Sequence, residues 1–255
     1  MLNLPQPKLG HVTTITITTP DLDKSFAFYT KLGFNEVGRY DFPFPWIQIS
    51  DGALLIMLRK DTTPAISLTY YVKDMDSVVT EVENTGITFA EKKNMGGIMR
   101  NVAVSPDGLK IALVTHVDGF NQPSGPTMLK MPHQDYFNPA KYPNATIGMF
   151  GEFAHPVQNL DTAIAFFEKL GFAKLYVNES PYRWAILSDG LAVIGAHQTT
   201  NFTDPTITYF ASDMKEKIAA LKAKGGLDIH KDMGESNTVL NTPEGQKFNL
   251  FKLGM

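Results

Sequence analysis

Lys31-Leu32-Gly33-Phe34 returns letter for letter as Lys169-Leu170-Gly171-Phe172, an offset of 138 residues. The same offset carries Leu22-Asp23 onto Leu160-Asp161, Phe28 onto Phe166 and Ser50-Asp51-Gly52 onto Ser188-Asp189-Gly190. It also carries Trp46 onto Trp184, the chain's two tryptophans. Matches that stay in step over such a distance mark an internal duplication. The period exceeds the roughly 20 to 50 residues of a solenoid repeat, so the repeated object is a globular unit. The 255 residues therefore divide into two units of ordinary domain size, each expected to own a core.

Working outward from the repeat, His11 to Thr19 alternates Val12, Ile15 and Ile17 with threonines, a half-buried strand ending at Pro20. A helix follows. Asp21 or Asp23 caps it, Leu22, Phe26, Tyr29 and Leu32 share one face, and Gly33 stops it. Asn159 or Asp161, the stripe Leu160, Ile164, Phe167 and Leu170, and Gly171 repeat that logic. Three short strand-like runs come next, at 34–40, 46–50 and 53–59, the last two joined by the Asp51-Gly52 turn. This βαβββ pattern restarts with a strand at 67–72, a helix at 75–85 and strands at 87–91, 99–105 and 109–115. The second half does the same through a strand at 206–211 and a helix at 214–224, so the expected fold class is α+β with four βαβββ units. The expected division is a first domain over 9–117, a connector over 118–145 and a second domain over 146–255. The connector holds five prolines and no periodicity, and reads as an extended surface run.

Composition closes several functional classes. Lys plus Arg number 23 against 26 Asp plus Glu, and no basic stripe interleaved with aromatics occurs, so nucleic acid is not an expected partner. The chain has no cysteine, which removes disulfides, thiolate nucleophiles and zinc–thiolate sites together. No apolar run approaches the ~18 residues of a membrane span and Met1 to Gly10 has no signal-peptide core, so the reading is a cytoplasmic protein without a membrane partner. No serine sits in a Gly-x-Ser-x-Gly elbow. Gly96-Gly97 and Gly225-Gly226 lack the strand and helix context of a phosphate loop.

The ordered set of a strand, an Asp-Leu-Asp-led helix bearing Phe-Ala-Phe-Tyr, a Lys-Leu-Gly-Phe exit, three strands and a closing Pro-Asp-Gly turn resembles the vicinal oxygen chelate superfamily. Glyoxalase I, bleomycin resistance proteins and extradiol dioxygenases are members. The resemblance spans 11–115 and 149–251, and implies a tandem two-domain member in which paired units enclose a cavity. In the family's metalloenzymes that cavity holds a divalent ion, with a His or Gln from the first strand of each unit and a Glu from the last strand. Carried onto this chain, the first-strand positions are Thr14, Ser67, Glu152 and Thr206, and the last-strand positions fall near Met57, Ala112, Gly195 and Asn249. Only Glu152 is a customary ligand, so no cofactor is expected. If a divalent metal is present, Glu152 and His197 are its ligands, with His155 joining only if the strand is kinked at Pro156.

Two functional classes follow from these residues. The leading expectation is metal-independent binding or sequestration of a small, partly aromatic or apolar molecule, contacted by Trp46, Gln48, Arg59, Glu152, Trp184 and His197. Loops bearing Tyr40, Phe42 and Phe44, or Tyr176 and Tyr182, suit a lid, and Arg59, Arg100 and Arg183 are the cations placed near the cavities. The alternative is an enzyme: a glyoxalase-type lyase or extradiol-type dioxygenase with a non-standard site in the second half, or metal-free acid–base catalysis by Glu152 with His155. Duplication internalises the pairing that single-domain relatives reach by dimerising, so a monomer or a homodimer is expected.

Overall fold

In the computed structural model, which describes residues 3–116 and 119–254, the chain forms two eight-stranded mixed sheets with four helices. The first unit runs β1 (Val12–Thr19), α1 (Leu22–Lys31), β2 (Asn35–Tyr40), β3 (Trp46–Ser50) and β4 (Leu55–Lys60). The second runs β5 (Ile66–Val72), α2 (Met75–Asn84), β6 (Phe89–Met95), β7 (Ile98–Val104) and β8 (Lys110–Thr115). The other half repeats both. Its third unit is β9 (Met149–Pro156), α3 (Leu160–Lys169), β10 (Ala173–Asn178), β11 (Trp184–Ser188) and β12 (Val193–His197). Its fourth is β13 (Thr206–Ala211), α4 (Met214–Lys224), β14 (Asp228–Asp232), β15 (Asn237–Asn241) and β16 (Lys247–Lys252). The α+β class and the four βαβββ units are those the sequence implies.

Each sheet has the same strand order, β2-β3-β4-β1-β5-β8-β7-β6 and β10-β11-β12-β9-β13-β16-β15-β14. Two units meet at an antiparallel seam, β1 on β5 and β9 on β13, while β1 on β4 and β5 on β8 run parallel. Alternation along the strands sorts the side chains. Ile15, Ile17, Ile47, Ile49, Ile56 and Leu58 enter the core beneath the helices, while Val12, Trp46, Leu55, Met57 and Tyr71 cluster on the other face. Three of the four α-helices start where a short polar side chain takes a backbone N–H: Asp21 accepts from Lys24, Asp74 from Ser77 and Asn159 from Thr162.

The expectation of one core per copy is not met. A single apolar cluster runs through both halves, because the helix-bearing faces pack on each other: Phe34 meets Tyr209 and Tyr29 meets Phe248. The repeated Ser-Asp-Gly turns form a reciprocal clasp across this contact. Asp51 accepts from Ala53 N and Leu54 N of its own turn and, at 2.5 Å, from Tyr209 Oη of the other half. Asp189 accepts from Leu191 N and Ala192 N and, at 2.6 Å, from Tyr70 Oη. Gly33, at φ +91°, leaves room for Asn144, whose amide donates to Leu32 O and to Asp51.

The Pro-rich stretch is not extended throughout. It makes three short 3-10 turns, Met128–Lys130, His133–Asp135 and Pro139–Lys141, and buries Met131 and Tyr142 in the shared core. The expected boundary between residues 117 and 118 and the last residue, 255, lie outside the described residues.

Candidate functional site

The concave face of the first sheet encloses a cavity of about 540 Å³. Its floor is the β1–β5 seam, where Thr16 and Thr69 hydroxyls hydrogen-bond at 2.8 Å and Met57 lies alongside. One wall is aromatic. Tyr40 stacks on Trp46 at 4.4 Å, and Phe120 lies 5.5 Å from Trp46 and parallel to Tyr71 at 5.0 Å and 3°. Trp46 is fixed by its indole N–H, which donates to Phe42 O at 3.2 Å, and Phe42, Pro43 and Phe44 close the same end. Burial pushes the Tyr71 phenol well above its ordinary pKa, so it stays neutral, and its hydroxyl has no partner among the described residues.

Two arginines also line the cavity. Arg59 leaves β4 over the Phe44 ring and pairs with Asp61 at 2.9 Å; Arg100 leaves β7 and pairs with Glu91. Burial first, and then the like charge of Arg100, hold the Arg59 guanidinium below its ordinary pKa. The cavity therefore joins a broad apolar surface to a cationic side, an arrangement suited to holding and orienting a flat molecule of a few rings.

In the second half the matching space is filled by side chains. Phe210 lies over Gly151, where an added Cβ would meet its ring at 2.3 Å, and the Glu152 carboxylate lies over Gly195, where a Cβ would meet Oε2 at 1.9 Å. Glu152 Oε1 pairs with His197 Nε2 at 3.1 Å, and the His197 ring stacks on Trp184 with Tyr182 and Phe202 against its edges. Tyr182 Oη lies 3.4 Å from His197 Nδ1. An open groove of about 890 Å³ runs past Tyr182, Phe202 and Gln198, outside this buried pair.

A family model described as the Glyoxalase/Bleomycin resistance protein/Dioxygenase superfamily matches residues 8–113. This match places the first half of the chain in the superfamily. The match covers the first half, and the second half shares its strand order and its sequence repeat. No curated protein sequence matches the chain. Among solved structures, the 2,3-dioxygenase LapB from Pseudomonas sp. KL28 is similar at 16% identity and TM-score 0.61, over 100% of this chain and 94% of that one. Homoprotocatechuate 2,3-dioxygenase from Arthrobacter globiformis aligns at 14% identity and TM-score 0.62, over 98% and 82%. The Mn(II)-bound glyoxalase from Novosphingobium aromaticivorans aligns at 19% identity and TM-score 0.60, over 94% and 80%. At these identities the likeness is one of fold.

The superfamily's metal positions can be tested against the donors present. In the first half they carry Thr14, Met57, Ser67 and Ala112, of which Met57 and Ser67 line the cavity together with Arg59 and Arg100, a set of neutral and cationic groups that does not fit a divalent cation. In the second half Glu152 and His197 come together, but Thr206 and Asn249 hold the remaining positions, and the Asn249 amide donates to Thr208 Oγ1. Among the described residues no three His, Cys, Asp or Glu side chains converge. Two donors do not make the three or four that such an ion takes.

His155 does not join the pair. Strand β9 runs unbroken to Pro156, and alternation sends His155 to the opposite face from Glu152, into the contact between halves, with Nε2 3.4 Å from Ser105 Oγ. Burial lowers its pKa to about 4. Gln48 is buried beside Met57, outside the cavity lining, with neither amide atom partnered among the described residues. Arg183 lies on the surface, paired with Asp161 and Glu179. Trp46 and Arg59 line the first cavity; Trp184 packs on His197. Sequence reasoning missed Phe120, which comes from the aperiodic connector, and Tyr71, whose alternation with Thr69 on one strand face was the available signal.

Proposed function

We propose that this protein binds a small, partly aromatic molecule in the amino-terminal cavity and works without a metal, holding its ligand rather than cleaving it. The observation that carries the reading is the cavity of about 540 Å³ walled by Trp46, Phe44, Tyr71, Phe120 and Met57, on a sheet whose metal positions hold Thr14, Met57, Ser67 and Ala112. Such a volume lies within the range of about 300–1,000 Å³ typical of small-molecule sites. Burying an aromatic ligand there gains dispersion and hydrophobic free energy with no chemical step. On the matching face of the second half Glu152 and Phe210 lie over Gly195 and Gly151, which supports its use as scaffold.

Titration of metal-stripped protein with aromatic probes, followed by calorimetry, tests this. Saturable binding that survives a chelator, and that Trp46→Ala weakens, is the expected result. Binding that vanishes with chelator and returns with a divalent ion would overturn it. The Glu152–His197 contact favours a second reading, metal-dependent chemistry in the carboxy-terminal half. For that reading, stoichiometric metal in the purified protein must disappear in Glu152→Ala.

A further inference from the structure

We propose that the ligand class of the amino-terminal cavity is the aromatic carboxylates, the acid group held by Arg59 and Arg100 and the ring set against the Trp46, Phe120 and Tyr71 wall. This rests on the reading of that cavity as a binding site. The lining carries three cations, Arg59, Arg100 and Lys110, against one carboxylate, Asp41. Asp61 and Glu91, which are outside the lining, pair with the arginines and fix the guanidinium forks in place. Each fork has five N–H donors, and only Nη2 of Arg59 and Nη1 of Arg100 hydrogen-bond to these carboxylates. Unspent N–H donors set in an apolar wall favour an anion, which accepts from them, over an organic cation, which cannot.

The threonines of the cavity make no such demand. Thr16 and Thr69 bond to each other, and Thr18 donates to Thr63 O and Ala65 O. The guanidinium donors, with the Tyr71 hydroxyl that has no partner among the described residues, are thus the groups of the wall best placed to select a ligand. The ring preference is drawn from the protein's own side chain: Phe120 lies parallel to Tyr71 and tilted on Trp46, a slot shaped for flat rings. Aromatic walls also suit quaternary ammonium ions, but here the paired arginines oppose them.

Three probes of one shape separate the readings: 2-naphthoate, 2-naphthalenemethanol and a trimethyl(naphthylmethyl)ammonium ion, titrated into the full-length protein with Trp fluorescence and calorimetry. Naphthoate is expected to bind at least about tenfold tighter than the alcohol, with the cation weakest, as one charge-assisted bidentate contact provides. Arg59→Gln and Arg100→Gln should each lose about tenfold for naphthoate while the alcohol changes by less than about twofold, so the alcohol reports that the cavity is still formed. If a variant fails to fold, the naphthoate-to-alcohol ratio of the unmodified protein decides alone. An alcohol that binds as tightly as naphthoate overturns the carboxylate assignment and leaves the cavity's binding role standing. Failure of all three probes overturns the binding role itself.

Discussion

Replacing Tyr70 by Phe removes one oxygen from the contact between the halves and nothing else. Its hydroxyl donates at 2.6 Å to Asp189 Oδ2, and both side chains are fully buried. Asp189 Oδ1 is spent on Leu191 N and Ala192 N, so Oδ2 would be left in the core without a donor. A hydrogen bond to a charged group contributes about 1.5–3 kcal/mol, so the expected loss is about 2 kcal/mol, or a fall in Tm of roughly 4–8 °C for a chain of this size. The cost should depend on pH. Burial already raises the Asp189 pKa and the Tyr70 bond opposes that rise, so without Tyr70 the folded carboxyl takes up a proton at a higher pH. A folded pKa above the unfolded one adds stability as pH falls, so the variant recovers part of its deficit in acid. Tyr209→Phe should cost less, because Asp51 Oδ2 keeps the Asn144 amide at 3.3 Å. Urea unfolding at pH 7 and pH 5 measures all three proteins. A Tyr70→Phe deficit under about 0.5 kcal/mol at pH 7, or one that grows in acid, would refute the clasp as drawn.

Two further outcomes are expected. His155 stays neutral in the fold with a pKa near 4, against an ordinary 6.5, so its contribution is whole above 6.5 and is lost as pH falls from 6.5 to about 4; His155→Gln should flatten that limb of the stability curve by up to about 3 kcal/mol, and an unchanged acid limb would count against its burial. Gly195→Ala puts a methyl against Glu152 Oε2 and His197 Nε2 and should cost about 2–4 kcal/mol by overpacking and loss of the Glu152–His197 contact, with Glu152→Ala removing the closer clash and freeing His197 to move so that the double variant loses less than the sum; additive losses would show that Glu152 does not lie over Gly195.

The elements were legible because their causes are local. Asp21, Asp74 and Asn159 announce the helices they cap, and the alternation of β1 separates Ile15 and Ile17 from Thr16 and Thr18. The expected start of the fourth strand at Ala53 differs from the observed Leu55, because Asp51 Oδ1 draws the Ala53 and Leu54 amides into its turn. The expected 87–91 run is β6 at Phe89–Met95, an edge strand whose charged stretch Glu91-Lys92-Lys93 shows no alternation to read. Of the site, Trp46 and Arg59 could be placed from strand position alone. Phe120 could not, since nothing periodic governs the connector. The Ser-Asp-Gly repeat was readable as a turn, but its second role depends on tyrosines 119 and 158 residues away.

The two halves keep the same clasp yet differ on their concave faces, and the difference follows from a few matched side chains. Met57 and Arg59 stand where Gly195 and His197 stand in the second half, and Thr14 stands where Glu152 does. A glycine beneath Glu152 lets the carboxylate fold down onto the strand and meet His197, and a glycine beneath Phe210 lets that ring do the same. The second face therefore closes on itself. In the first, Met57 occupies the strand surface, Arg59 turns out to Asp61, and Tyr71 stands up against Phe120, so the sheet stays open. Substitutions on the open face meet space that absorbs them and, on the proposed reading, alter what can be bound, whereas those at Gly151 and Gly195 meet close neighbours and register as lost stability. The open sheet is locked to its twin through Asp51, Tyr70, Asp189 and Tyr209, which supplies packing that a lone open sheet would lack.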